Sequence, residues 1–149
     1  MKAIHMPVFS AAQREIQWLF RVNYSFLHNS AMTVHNDCIF CKIARGEIPA
    51  QKVYEDDDVL AFLDINPAAP VHVLLIPKKH ISSLANVEEA DAALLGKMMT
   101  LVPKLAKKQK ANDGFRLIVN AGRIGNQEVP HLHLHIISGP EPLGRMLAN

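Results

Sequence analysis

His131-Leu132-His133-Leu134-His135-Ile136-Ile137 is the stretch on which the reading of this chain turns. Side chains alternate faces along a strand, so a strand over residues 131–137 sets three imidazoles on one face and Leu132, Leu134 and Ile136 on the other. One face is then core and the other is free for chemistry. A strand face that is merely imidazole-rich, or an incidental metal site, is the bland alternative.

Outward from that strand the pattern is α+β. Toward the N-terminus a glycine-containing loop separates it from a second strand, residues 115–120, and Asn112-Asp113-Gly114 is the turn before that. Asn86 with Glu89 forms a capping box that opens a long helix, whose apolar stripe is Leu94, Leu95, Met98, Leu101, Val102 and Leu105. Pro103 inside it is expected to kink the helix or start a new turn. Residues 72–76 are an apolar run of strand length, with Pro77-Lys78-Lys79-His80 as its polar exit. Residues 53–55 and 59–63 read as a hairpin across the acidic tip 56–58, and residues 39–45 as a short helix ending at Gly46.

Residues 1–31 stand apart as an N-terminal extension to a domain over 32–149. Ser10 with Gln13 could cap a helix carrying Ile16, Leu19, Phe20 and Leu27, and Met32 is a sensible initiator for a compact domain that begins near Asp37. The alternative is an organelle transit peptide, given Lys2, Arg14, Arg21 and the scarcity of acid.

The bulk numbers narrow the function. With 49% hydrophobic and 20% charged residues the chain is a folding, globular one, and 149 residues suffice for one ordinary domain. A net charge of +2, with the basic residues scattered, argues against nucleic acid or a membrane surface as partner, so any phosphate bound is expected on a small molecule. No apolar run is long enough to span a bilayer. The two cysteines, Cys38 and Cys41, are spaced for a metal or redox pair and point to a reducing, cytoplasmic setting.

These motifs together resemble the histidine-triad family, whose signature is His-x-His-x-His-x-x with apolar x. The likeness is greatest to its Hint branch in bacterial form, and it extends through Cys38-Ile-Phe-Cys-Lys-Ile, Gly46-Glu-Ile-Pro, Ala61-Phe-Leu-Asp-Ile-Asn-Pro, Pro77-Lys-Lys-His-Ile and Pro142-Leu-Gly-Arg-Met-Leu-Ala. The resemblance implies a HIT-like fold: an antiparallel five-stranded sheet with one long helix and one short N-terminal helix. It also implies a homodimer formed through the long helix and an edge strand.

The implied activity is hydrolysis of the P–N bond in purine nucleoside 5'-monophosphoramidates, through a covalent nucleotidyl-histidine. Independent chemistry agrees that a neutral imidazole is a good nucleophile, and that a covalent intermediate divides one hard displacement into two easier ones. By resemblance His133 is the nucleophile, and His72 and His135 orient it, share protons or contact phosphate. Asn120 and the loop Asn126-Gln127-Glu128 supply donors to the phosphate oxygens. The nucleoside lies over Ile43, Ile48, Phe62 and Ile65, with Asp64 on the ribose hydroxyls. Core packing is the plain alternative for the four apolar residues, and a turn cap before Asn66-Pro67 the plain alternative for Asp64.

Some members of the family and their transferase relatives hold a structural zinc in a pattern matched here by Cys38, Cys41, His80 and His131. Two reduced thiols in the core are the alternative. Catalysis needs no metal. Three positions depart from the family pattern: Asn126 replaces a glycine, Glu128 stands where many relatives have serine, and Pro130 replaces an aromatic residue and has no backbone N–H for the strand. Two other functions fit the same residues, hydrolysis of dinucleoside polyphosphates and a nucleotide-binding interaction module.

Overall fold

The computed structural model describes residues 37–146. The helix, extension and initiator read over residues 1–32 lie outside the described residues, as does the end of the C-terminal tail.

Helix α1, Ile39–Ala44, leads into strands β1, Lys52–Glu55, β2, Val59–Leu63, and β3, Val71–Pro77. Two 3-10 turns, Leu84–Asn86 and Glu89–Asp91, precede α2, Ala92–Lys108, and β4, Arg116–Ile118, and β5, Leu134–Ser138, complete the chain. The five strands form one sheet in the order β1-β2-β3-β5-β4, and every pairing is antiparallel. This is the expected architecture. No helix among the described residues is long and apolar enough to cross a membrane.

The β1–β2 hairpin closes on Asp56, whose Oδ1 accepts from the backbone N–H of Asp58 and Val59 at 2.9 and 3.0 Å. Lys97 on α2 reaches back to Asp56 and Asp58 at 2.9 and 2.7 Å, tying helix to hairpin. β2 and β3 are almost continuously buried because both sheet faces are covered. Val59, Ala61, Val73, Leu75, Leu134 and Ile136 pack with Met98, Leu101, Val102 and Leu105 of α2. Leu60, Phe62, Leu74 and Ile76 pack with Phe40 and Ile43 of α1. The histidines belong to this second face.

Four expectations are corrected. The capping box consists of Glu88 and Asp91, not Asn86 and Glu89: the Asp91 side chain accepts from Glu88 N–H at 3.1 Å, and Lys79 holds its other oxygen at 2.6 Å. Asn86 instead ends a 3-10 turn capped by Ser83 and accepts from the Ser82 hydroxyl at 2.9 Å. Pro103 starts no new turn: the helix runs on through it to Lys108. Pro103 is exposed, and so is Met99, whose carbonyl loses its helical donor. The penultimate strand is shorter than residues 115–120. The last begins at Leu134, not His131, because the chain entering from Pro130 is held by single contacts, His131 N–H to Val129 O at 2.8 Å and Leu132 N–H to Ile81 O at 2.6 Å.

Candidate active site and metal centre

The alternation expected for residues 131–137 persists although the first three lie outside the ladder: Leu132, Leu134 and Ile136 are in the α2-side core. His131, His133 and His135 face the other way, but they divide between two clusters.

The first cluster is built by register. β3 and β5 pair His72 with Ile137 and Leu74 with His135, so His72 and His135 are diagonal neighbours on one face. Their rings meet, His72 Nε2 to His135 Nδ1, at 2.9 Å. Proton positions follow from the partners. Ala68 N–H donates to His72 Nδ1 at 3.0 Å, so that nitrogen carries a lone pair. The neutral ring then has its hydrogen on Nε2 and donates it to His135 Nδ1. Asp64 Oδ2, at 3.6 Å from the same Nε2, is too far to take that hydrogen. His135 in turn carries its hydrogen on Nε2.

Burial favours the neutral form of both rings. Burial pushes His72 below the usual histidine value, against the pull of Asp64. Burial first, then the charges His133 and His72 can carry, push His135 down to about 4. Among the described residues His135 Nε2 is the only buried side-chain nitrogen or oxygen without a hydrogen-bond partner. A buried N–H with nothing to donate to suits an anionic oxygen arriving with a ligand.

His133 sits beside it, ring centroids 4.8 Å apart. Its Nδ1 lies 2.6 Å from the carbonyl of His131. A carbonyl only accepts, so Nδ1 carries the hydrogen and Nε2 the lone pair. Phe40 presses edge-on against the His133 ring, centroids 5.2 Å apart at 79°. Sequence reasoning missed Phe40. It lies inside the Cys-x-x-Cys helix and reads there as an ordinary core residue.

The second cluster brings Cys38, Cys41, His80 and His131 together, their ligand atoms all within 4.8 Å of one another. His131 Nδ1 is 3.4 and 3.5 Å from the Cys38 and Cys41 sulfurs, and His80 Nδ1 is 3.3 Å from Cys41 Sγ. Two ligands on a tetrahedral ion, one sulfur and one nitrogen, stand about 3.6 Å apart. His131 Nε2–H donates to Pro77 O at 2.8 Å, so its lone pair faces the sulfurs, the tautomer a ligand needs. Burial, and then Cys38 beside it, push the Cys41 thiol up to about 11, so a thiolate at Cys41 is favoured only beside a cation. These four residues fit a metal ion.

Asp64, His72 and His135 also lie within 4.8 Å of one another. They fit a metal poorly, because the Ala68 N–H forces the hydrogen of His72 onto the nitrogen that would have to ligate.

Of the remaining expected residues, Asp64 reaches the first cluster, its Oδ2 3.6 Å from His72 Nε2. Ile43 and Phe62 are buried against Phe40, Ile48 packs on them, and Ile65 is 90% exposed. Asp64 Oδ1 accepts from Asn66 N–H at 2.8 Å, the turn cap that was the alternative for this residue, and Oδ2 faces His72. Asn120 is half-buried just beyond β4. In the loop, Asn126 adopts φ +56°, the left-handed conformation in which asparagine best replaces glycine. Gly125 is required for another reason: a Cβ there would meet Ala121 O at 2.6 Å. Gln127 is a clamp. Its Oε1 accepts from Gly122 N–H at 2.9 Å, and its Nε2 donates to Ser82 O at 2.7 Å and Val129 O at 2.8 Å. Glu128 is exposed at the end of this loop.

Comparison with known proteins agrees with this geometry. The HIT domain model matches residues 45–141. Protein HitA of Neisseria gonorrhoeae is 56% identical over 105 residues, covering 70% of this chain and 98% of the relative. The purine nucleoside phosphoramidase of Escherichia coli (strain K12) is 47% identical over 114 residues, 76% of this chain and 95% of the relative. A histidine triad protein from Clostridium difficile superposes with TM-score 0.69 at 49% identity, over 73% of this chain and 96% of that one. A HIT family hydrolase from Legionella pneumophila superposes with TM-score 0.68 at 47% identity, over 70% and 95%. With the histidines on the sheet face where the family signature requires them, the chain belongs to the HIT domain family and is a hydrolase.

Proposed function

We propose that the chain hydrolyses the P–N bond of purine nucleoside 5'-monophosphoramidates through a nucleotidyl-His133 intermediate. The observation that carries the reading is the pair of proton positions at the centre of the site. His133 keeps its hydrogen on Nδ1 against the His131 carbonyl, leaving Nε2 to attack, and the unpartnered His135 Nε2–H lies next to it. The similarity to a purine nucleoside phosphoramidase supports the same choice of substrate.

In this mechanism the His133 Nε2 lone pair forms a bond to phosphorus as the P–N bond breaks, the leaving nitrogen takes a proton from solvent at the exposed Glu128 loop, and the water that attacks in the second step returns one. His135 Nε2–H donates to a phosphoryl oxygen, where negative charge grows in the transition state, and the Ala68–His72–His135 relay holds that hydrogen in place. Asn120 and the backbone of Asn126 add donors. The Gln127 clamp fixes the loop that carries Glu128 toward the leaving group. Water then attacks phosphorus, the P–N bond to His133 breaks, and the nucleoside monophosphate departs. Ile43, Ile48, Phe62 and Ile65 take the base and Asp64 Oδ2 the ribose hydroxyls.

The metal of the second cluster we read as zinc, in a closed structural role suited to two thiolates and two imidazoles. The enzyme on this reading is a cytoplasmic homodimer, joined through α2 and an edge strand, with no nucleic acid or membrane as partner.

Incubating wild type and His133→Ala with adenosine phosphoramidate tests the mechanism. Wild type should release amine and show a nucleotidyl adduct by mass spectrometry. The variant should show no adduct and lose turnover by on the order of 10⁴-fold or more. Equal rates would remove His133 from the mechanism.

A further inference from the structure

We propose that the Cys38/Cys41/His80/His131 cluster is a positioning device for the nucleophile: drawing its four ligands onto a metal fixes the His131 carbonyl and, through it, the orientation and proton of His133. The proposal rests on the metal reading of this cluster and on His133 as the attacking residue.

His131 is the shared component. Its ring is completely buried, with Nδ1 on the two sulfurs and Nε2–H on Pro77 O. Among the described residues its carbonyl is the partner of His133 Nδ1. The peptide bearing that carbonyl lies outside the ladder, which starts at Leu134, so regular sheet pairing does not set its plane. What holds it is the cluster, from two sides. The ring anchors His131 itself, and the N–H of the same peptide, on Leu132, donates to the carbonyl of Ile81, the residue following the ligand His80.

A second route runs through α1. This helix has six residues, no side-chain cap at Cys38 and no acidic residue in its first turn, so it is too short to persist on its own. Cys38 and Cys41 pin it, and between them Phe40 is set against the His133 ring. Both the hydrogen-bond partner of the nucleophile and the wall behind it are therefore mounted on metal ligands. Groups behind a reacting residue act by orienting it, and such support is typically worth about 10- to 100-fold.

The test uses full-length protein labelled with ¹⁵N-histidine, with metal content measured by elemental analysis. Zinc is removed by chelation and restored, and four quantities are followed: the His133 Nδ1–H resonance, kcat and KM for adenosine phosphoramidate, and far-UV circular dichroism. The expected result is loss of the resonance and a fall in kcat of about tenfold or more, with KM changed by less than about twofold, all reversed by zinc. Should the stripped wild type unfold, zinc-loaded His80→Ala, which keeps three ligands, is compared with zinc-loaded wild type where circular dichroism shows both folded; resonance and kcat should then fall together in the variant. A resonance indifferent to zinc overturns the proposal, as does a fall in kcat without a change in it, or protein that neither contains nor takes up metal. Zinc-loaded wild type that turns over no phosphoramidate would instead defeat the reaction reading alone, while the resonance still decides the coupling.

Discussion

The two histidine clusters differ in the group standing behind each ring. Behind His131 is a carbonyl, Pro77 O, which takes a hydrogen from Nε2 and turns a lone pair toward two sulfurs. Behind His72 is an N–H, that of Ala68, which takes the lone pair and turns a hydrogen toward His135. The same side chain thus presents a lone pair in one place and starts a donor relay in the other. Histidine, with one donor and one acceptor when neutral, transmits whatever polarity its rear partner imposes.

The comparison breaks most visibly when metal is withdrawn. A structural ion binds the folded chain and little else, so its binding free energy becomes folding free energy. Stripping zinc should lower Tm by more than about 10 °C, a loss of several kcal/mol for a domain of this size. Saturation with a nucleoside monophosphate at about 100 times its Kd should add only about 2.7 kcal/mol. Thermal unfolding with chelator, then with nucleotide, checks both. A chelator-insensitive Tm would return Cys38 and Cys41 to the role of packed thiols.

A smaller intervention exchanges the polarity behind His72. Ala68→Pro deletes the N–H that reaches His72 Nδ1, in an exposed turn already bracketed by Pro67 and Pro70. The ring is then free to place its hydrogen on Nδ1. The donor relay to His135 fails, and kcat should fall by about tenfold with KM little changed. Asp64, His72 and His135 should at the same time acquire the tautomer a ligand set needs, so that micromolar zinc inhibits the variant more than wild type. Steady-state kinetics across a zinc series reads both effects, and an unchanged zinc response would mean that the rear N–H does not set the tautomer.

How far this contrast is legible in the sequence depends on range. The hairpin at Asp56, the apolar strands and the α2 stripe are local patterns and are found where the residues place them. So is the alternation from His131 to Ile137. The start of α2 is less accessible, since Asn86/Glu89 and Glu88/Asp91 both fit a capping box, and Lys79, twelve residues upstream, holds Asp91 in place. The proposed site is picked out as a set of residues by family resemblance. Its division into two chemistries was not, because Pro77 and Ala68 act through backbone groups that carry no residue-type signal. Phe40 was invisible for a related reason: an apolar residue in a short helix gives no sign that its ring will meet that of His133.

The smallest expected effect concerns the protons themselves. His135 is held at about 4, against an ordinary value of 6.5, by burial and then by the potential charges on His133 and His72, with Asp64 opposing. His72 is shifted the same way by burial. Between about pH 4 and 6.5 the unfolded chain therefore binds protons that the folded chain refuses. Stability rises with pH wherever the unfolded state holds more protons, so this contribution is complete above pH 6.5 and lost as pH falls toward 4. Other groups add to the total slope. The difference between wild type and His135→Phe separates them, since both proteins keep Cys38, Cys41, His80 and His131. Urea unfolding at several pH values should give the variant the shallower loss on acidification. Parallel curves would mean that His135 is solvated in the folded protein, and the neutral relay from Ala68 would lose its last member.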